Sequence, residues 1–296
     1  VALSLVLGLL AGMGFAIVRS KMASGIQNPQ EIEDRLGLNV YSVVPLAIEQ
    51  ERIGLRIAGG VGGVQVLAIN EPESLAVESL RNLRISLQLT LMETGNNRVL
   101  ITGATPGVGK SFVSGNFAAI MAEAGRRVLL IDADLRKGHL HTAFGLPRKG
   151  GLADVLAGDM TSEQAIHSQV TPNLDVLTTG NYPFNPASMM LSSTLREFLE
   201  AMSARYDLVV IDSPPVLVAA DAAAVAAHAG AILLVARDNL TQLGELSESV
   251  KRLAHAGQRV SGVVFNGMDL SRRHYGSYGY KYGGYRYTEY KYKDAV

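Results

Sequence analysis

One short stretch, a glycine-rich loop between an apolar run and a helical segment, limits the possible folds of this chain more than any other feature. The run 98–102 predicts a β-strand, Ala104-Thr-Pro-Gly-Val-Gly-Lys110-Ser111 a tight loop, and 112–124 a helix. Backbone N–H groups in such a loop, together with the helix N-terminus, attract an anion. Ala104 replaces the first glycine of the strict motif, and Gly103 precedes it. An ordinary glycine-rich turn is the alternative, but the order of strand, loop and helix predicts a phosphate cradle.

The loop predicts a nucleotide and a metal ion as ligands. Lys110 can reach the β- and γ-phosphates of a nucleoside triphosphate, and the hydroxyl of Ser111 can hold Mg²⁺. Asn266 ends the last apolar run, in a sequence that resembles a guanine-reading motif without its lysine, so we interpret it as an adenine contact and ATP as the nucleotide. The predicted nucleotide-binding residues are Gly107, Val108, Gly109, Lys110, Ser111, Phe112 and Asn266.

Continuous apolar runs alternate with helical stretches along the rest of the chain. Short runs of this kind are typical of strands buried on both faces, which occur in parallel sheets covered by helices. The predicted fold class is therefore α/β, a P-loop NTPase-like parallel sheet flanked by helices, with its chemistry at the carboxyl ends of the strands. The runs that follow the loop are 128–131, 174–177, 208–211, 231–236 and 260–265.

Three aspartates follow two of these runs. Asp132 and Asp134 are two residues apart, which places both carboxylates on the same side of an extended chain, and Asp212 follows the run 208–211. Oxygen ligands suit Mg²⁺, and P-loop NTPases hold the metal with an aspartate at the end of a hydrophobic strand. Ser111 and the three aspartates are therefore candidate metal ligands, and we predict that Ser111, Asp134 and Asp212 hold the ion directly or through water.

Charge and composition bear on the compartment of the chain and on its partners. The 296 residues contain no cysteine and have 27 basic against 27 acidic side chains, which excludes disulfides and thiol chemistry and gives no support for bulk nucleic-acid binding. Residues 1–18 carry no charge and are followed by Arg19 and Lys21. They predict the C-terminal part of a transmembrane helix, with the chain beyond it in the cytoplasm. A buried core helix is the alternative.

Residues 19–66 predict a juxtamembrane element and a linker. Pro29 opens a short helix that Gly37 closes, and a strand over 40–44 follows. The segment 49–65 contains five glycines and little polar periodicity, which favours a flexible linker. Residues 67–270 form the predicted P-loop domain, and 271–296 a separate tail.

The helix predicted from Pro72 to about Leu91 carries Glu78, Arg81 and Arg84 within an arc of about 120°. On spacing alone, an ordinary surface ion pair is the favoured interpretation of these three residues.

Tyrosines are concentrated in the tail, where they alternate with glycine and basic residues. This composition predicts disorder, and an RNA-stacking arm is the alternative. The tail holds eight of the chain's eleven tyrosines: Tyr275, Tyr278, Tyr280, Tyr282, Tyr285, Tyr287, Tyr290 and Tyr292.

Together these features resemble the bacterial tyrosine kinases of the Wzc type, polysaccharide co-polymerases that control capsule and exopolysaccharide length. The resemblance rests on the loop, the paired aspartates, the strand ending Asp212-Ser-Pro-Pro, the Glu-x-x-Arg-x-x-Arg sequence and the tyrosine cluster. It implies that 67–270 is a tyrosine kinase domain in which Lys110 and Asp132 are catalytic, Asp132 orienting or deprotonating the incoming tyrosine. It further implies that Glu78, Arg81 and Arg84 join subunits in a ring, and that the tail tyrosines accept phosphate from a neighbouring subunit.

The resemblance also implies partners and a location. The expected partners are further copies of the chain, a low-molecular-weight protein-tyrosine phosphatase and the polysaccharide polymerase and export machinery. The expected location is the bacterial inner membrane, with the kinase domain in the cytoplasm, and no nucleic acid is expected. The alternative is a MinD/ParA-like membrane-associated ATPase switch with the same fold. Those proteins place a second lysine early in the loop, where this chain has Thr105, and they lack a tyrosine tail.

Overall fold

A computed structural model describes Gly8, Gly12, 25–60 and 62–270 of the chain. The predicted membrane span at 1–18 lies outside this part, apart from the helical Gly8 and Gly12, and so does the whole tail at 271–296. Among the residues described, no helix has both the length and the apolar character needed to cross a membrane.

Eight strands form one sheet in the order β1-β8-β7-β2-β6-β3-β5-β4. Neighbouring strands are parallel, except that β4 is antiparallel to β5. The six apolar runs and the strand predicted over 40–44 account for seven of these strands. They miss β4, a partly exposed edge strand without an apolar run. The strands are β1 Val40–Pro45, β2 Arg98–Gly103, β3 Val128–Asp132, β4 His167–Thr171, β5 Leu174–Leu177, β6 Leu208–Asp212, β7 Ala231–Arg237 and β8 Gly262–Met268.

Helices cover both faces of the sheet, because successive side chains of a strand point to opposite sides. In β3, Val128 and Leu130 pack into the core beneath one helical layer, and Leu129 and Ile131 into the core beneath the other. The first layer contains α2–α6, and the second contains α1 and α7–α12. The helices are α1 Gln30–Leu36, α2 Glu49–Ala58, α3 Leu67–Asn70, α4 Leu75–Thr94, α5 Lys110–Glu123, α6 Leu140–Phe144, α7 Leu152–Ala157, α8 Ser162–Ala165, α9 Pro186–Met190, α10 Ser193–Arg205, α11 Asp221–Ala226 and α12 Leu243–His255.

The region before residue 67 differs from its prediction in two respects. The strand expected near the membrane is part of the main sheet, since β1 pairs with β8. The segment predicted as a flexible linker contains the ten-residue helix α2. Ile53 explains this helix, because its side chain is only 2% exposed and its burial offsets the low helix propensity of glycine. Gly54 faces open space, where a missing side chain loses no packing.

Candidate active site

The loop between β2 and α5 has the backbone that its sequence predicts. Gly107 and Gly109 have φ values of 80° and 95°, which favour glycine. At Gly103, a Cβ atom would lie 2.7 Å from the side chain of Val108, so this glycine is required for packing. α5 begins at Lys110, directly after the loop, and supplies the expected helix N-terminus.

Two side chains from neighbouring strands hold the loop in place. The amide Nδ2 of Asn266, in β8, donates to the carbonyl of Val108 at 2.9 Å. Arg237, at the end of β7, donates to the carbonyl of Gly107 at 3.3 Å. Asn266 therefore supports the loop backbone, and its contact with adenine stays a prediction. No sequence signal identified Arg237.

The two strand-end aspartates lie side by side next to the loop. β3 and β6 are neighbours, and Asp132 is in register with Asp212. The hydroxyl of Ser111 donates to Oδ2 of Asp212 at 2.5 Å. Asp132 accepts hydrogen bonds from the backbone N–H groups of Leu140 and Asp134, at 3.0 and 3.2 Å. The structure thus brings Asp212 next to Asp132 and Ser111, which are 80 and 101 positions away in the sequence.

Burial gives this aspartate pair unusual electrostatics. Asp132 is fully buried and Asp212 is 2% exposed. Burial raises the pKa of Asp132, and the neighbouring Asp212 carboxylate raises it further. Burial also raises the pKa of Asp212, although the Ser111 hydroxyl and Lys110 oppose the shift. Oδ1 of Asp212 is buried and has no hydrogen-bond partner among the described residues. Because buried carboxylate oxygens are normally paired, this atom is available to a ligand.

The residues present fit a Mg²⁺ ion that is shared with a nucleotide. The described part of the chain contains no group of three or more His, Cys, Asp or Glu side chains that could hold a metal on their own. Mg²⁺ usually takes one or two protein carboxylates and completes its shell with water and phosphate oxygens. The unpaired oxygen of Asp212 and the Ser111 hydroxyl meet that requirement. Asp134 lies at the rim, where its Oδ1 accepts from the backbone N–H groups of Arg136 and Lys137.

The predicted oligomerisation residues lie on α4, which packs beside α5. Arg81 bonds Glu78 at 3.1 Å, Glu123 at 3.4 Å and the carbonyl of Pro72 at 3.0 Å, while Arg84 is exposed. α4 confirms the helix that the sequence predicts from Pro72 to about Leu91. A contact with a neighbouring subunit stays a prediction for all three residues.

This fold and this loop define the class of P-loop nucleotide-binding proteins. A family model described as an AAA domain matches residues 98–259. The kinase domain of the Escherichia coli tyrosine kinase ETK superposes with a TM-score of 0.78 and 38% sequence identity, over 85% of this chain and 98% of that one. The chain belongs to the family of bacterial tyrosine kinase domains, within the AAA-domain proteins.

Two further comparisons define the extent of the likeness. The protein EpsB of Ralstonia nicotianae is 48% identical over 282 residues, which are 95% of this chain but only 37% of EpsB. The chain thus spans little more than a third of this relative. The cell division ATPase MinD of Pyrococcus furiosus has a TM-score of 0.50 and 26% identity, over 57% of this chain. The tyrosine kinase interpretation is therefore supported over the MinD-like alternative.

Proposed function

We propose that the protein is an ATP- and Mg²⁺-dependent protein-tyrosine kinase that phosphorylates the tail tyrosines of a neighbouring copy. The observation that carries the proposal is the buried Asp132–Asp212 pair beside the loop, in which one carboxylate oxygen has no partner in the described part of the chain. A buried, under-satisfied acidic pair at the carboxyl edge of a parallel sheet is costly unless a ligand completes it.

The proposal gives each side chain a role, which for Asp132 is the one that the family resemblance implies. Lys110 balances charge on the transferred phosphoryl group, and Ser111, Asp134 and Asp212 hold Mg²⁺ directly or through water. An ion held there would neutralise charge on the phosphate oxygens. Asp132 orients the tyrosine hydroxyl or accepts its proton as the hydroxyl oxygen bonds to the γ-phosphorus and ADP leaves. Phosphoryl transfer depends mainly on positioning and charge neutralisation, so these groups are sufficient.

The wider setting is part of the same proposal. Residues 1–18 anchor the chain in the inner membrane, the kinase domain faces the cytoplasm, and copies assemble into a ring through Glu78, Arg81 and Arg84. Phosphorylation of the tail regulates the polymerisation and export of an exopolysaccharide or capsule, and a low-molecular-weight phosphatase reverses it. Three observations support this setting: the uncharged run 1–18 with basic residues after it, the tyrosine cluster at 275–292, and the family membership.

The test is to incubate the purified chain with ATP and Mg²⁺ and to measure phosphotyrosine by mass spectrometry. We expect phosphate on several tail tyrosines, and none with Lys110→Met protein at equal folded concentration. ADP release without phosphotyrosine would instead support the ATPase switch and overturn the kinase proposal.

A further inference from the structure

A small cavity lies beside the loop that precedes Lys110, between this loop and the end of β8. It has a volume of about 190 Å³. Sites that enclose a whole drug-sized ligand measure about 300–1,000 Å³, so this cavity suits one ring system of a larger molecule. The loop and β8 approach closely here, because a Cβ atom at Gly109 would overlap Nδ2 of Asn266. The residues that line the cavity include Leu46, Gln50, Gly109, Phe112, Arg237 and Asn266.

One wall of the cavity comes from residues outside the predicted P-loop domain. Leu46 directly follows β1, and Gln50 lies in the first turn of α2. The backbone N–H of Leu46 donates to the carbonyl of Met268 at 3.0 Å, which holds this segment at the carboxyl edge of the sheet. The sequence predicts a flexible linker over 49–65, so it does not identify Gln50 as a site residue.

The side chain of Gln50 has an amide that is not used within the fold. This amide makes no hydrogen bond in the described part of the chain, and its Oε1 is buried. Because buried polar groups are normally paired, an unpaired amide in the wall of a cavity indicates a ligand. The last torsion of a glutamine is roughly two-fold, so rotation can turn either the oxygen or the nitrogen towards the cavity.

The other two polar side chains that line the cavity already hold the loop. Nδ2 of Asn266 donates to the carbonyl of Val108, and Arg237 donates to the carbonyl of Gly107. Gln50 differs from both, because its amide is free of such bonds within the described residues. Recognition of a ligand in this cavity by a side-chain amide therefore falls first to Gln50.

We propose that Gln50 selects the adenine base of the nucleotide. An amide pairs with adenine through two hydrogen bonds, since its oxygen accepts from the 6-amino group and its nitrogen donates to a neighbouring ring nitrogen. A 6-oxopurine such as guanine has an acceptor in place of the amino group, which leaves the amide oxygen unpaired. Phe112 and the exposed Leu46 add apolar surface for the ring. The inference rests on the proposed function and deepens it, because it names the residue that distinguishes ATP from GTP.

The experiment measures the binding of ADP and of inosine 5′-diphosphate (IDP) to the full chain with Mg²⁺, in mild detergent, by isothermal titration calorimetry. IDP carries a 6-oxo group in place of the 6-amino group of ADP, and the ribose and phosphates are the same. Neither nucleotide donates a γ-phosphate, so kinase activity does not enter the measurement.

Three variants isolate the amide of Gln50. Gln50→Leu removes both hydrogen-bonding groups at similar size, and Gln50→Glu keeps an acceptor. The matched control is Gln65→Leu, because Gln65 also has a buried, unpaired Oε1 but does not line this cavity. Circular dichroism checks the fold of each variant.

We expect the wild type and Gln65→Leu to bind ADP about 10–100-fold more tightly than IDP. Gln50→Leu should bind ADP more weakly by a similar factor and should lose the preference. Gln50→Glu should keep the preference, because its carboxylate still accepts from the amino group and repels the 6-oxo oxygen.

Equal binding of ADP and IDP by the wild type, or a preference that Gln50→Leu retains, would overturn the inference. A preference for IDP would also overturn it, because a guanidinium pairs with a 6-oxopurine and Arg237 would then read the base. Loss of the preference in Gln65→Leu would show that the effect is not specific to Gln50. If the wild type bound neither nucleotide, this inference and the proposed function would both fail. Selective ADP binding without phosphotyrosine formation from ATP would overturn the kinase proposal alone.

Discussion

Two buried aspartates in this protein have opposite surroundings. Asp154 is 7% exposed and accepts hydrogen bonds from the backbone N–H of Gly151 at 2.9 Å and from Asn181, whose backbone and side chain donate at 3.2 and 2.7 Å. Burial alone would raise the pKa of Asp154, but these donors outweigh it and lower the pKa. Asp212 is buried more deeply, at 2% exposed, has one oxygen without a partner among the described residues, and has a raised pKa.

We interpret the difference as that between a carboxylate that holds the fold and a candidate metal ligand. The donors around Asp154 join α7 to the loop after β5, so its charge is used in holding the fold. At Asp212 the desolvation of the charge is incompletely compensated within the chain, which leaves the carboxylate ready for an external cation. Both side chains are buried, Asp212 more deeply, and hydrogen-bond satisfaction separates the two sites further.

The largest expected effect is on catalysis. Asp212→Asn should lower phosphotyrosine formation at least about 1,000-fold, because it removes the charge that faces the nucleotide. The free energy of unfolding without nucleotide should stay the same or rise, since a buried, incompletely paired charge is lost. Phosphotyrosine assays and urea denaturation measure the two quantities. A strong loss of stability would show that Asp212 is structural, and the comparison would fail.

The opposite result is expected at Asp154. Asp154→Ala leaves the buried N–H of Gly151 and the part-buried donors of Asn181 without their acceptor, so the free energy of unfolding should fall by about 2 kcal/mol. Phosphotyrosine formation per folded molecule should be unchanged. Ala153→Gly in the same helix is a control for the helix itself, with an expected loss of about 1 kcal/mol.

At low pH, Asp154 should no longer stabilise the folded state. Its pKa is lower in the folded than in the unfolded chain, so its contribution is complete above the unfolded value and is lost as the pH falls through the folded value. The difference in unfolding free energy between wild type and Asp154→Asn should therefore be larger at pH 6 than at pH 3. Urea denaturation at both pH values tests this, and a constant difference would contradict the assigned pKa direction.

The smallest effect is expected at a third carboxylate, on the surface. Asp207 pairs with Arg127 at 2.7 Å, and this hydrogen bond is the main reason that its pKa is lowered. Arg127 is 62% exposed, so water screens the pair. Asp207→Asn should change the unfolding free energy by less than about 1 kcal/mol. If Asp207→Asn lowered the unfolding free energy as much as Asp154→Ala, hydrogen-bond satisfaction would matter more for stability than burial does.

Much of the fold follows from the sequence because buried parallel strands leave a clear pattern. Short apolar runs predict six of the strands, the segment 40–44 predicts β1, and the loop before Lys110 marks the edge of the sheet that carries the candidate site. β4 escapes prediction because it is an edge strand with few buried side chains. α2 is not predicted because the five glycines of 49–65 indicate a linker, whereas the burial of Ile53 stabilises the helix. Helix propensity cannot report a tertiary contact of that kind.

The sequence predicts which residue types form the candidate site, but it does not predict the contacts among them. Asp132, Asp212 and Ser111 are recognisable from the strand ends and the loop, while their register is visible only in the structure. The pairing of Arg136 with Asp221 leaves no local signal, because 85 residues separate the two side chains. Supporting contacts of this type depend on which elements the fold places together.

β1 introduces a delay into the folding of this chain. In the described structure its neighbour in the sheet is β8, with Val40 beside Val263. At a synthesis rate of about 5–20 residues per second, roughly 10–45 s separate the appearance of these two residues. During that time the inner side of β1 has no strand to pair with, and pairings at such long range form slowly. The nascent kinase domain therefore waits for its last strand, β8, before its first strand can join the sheet.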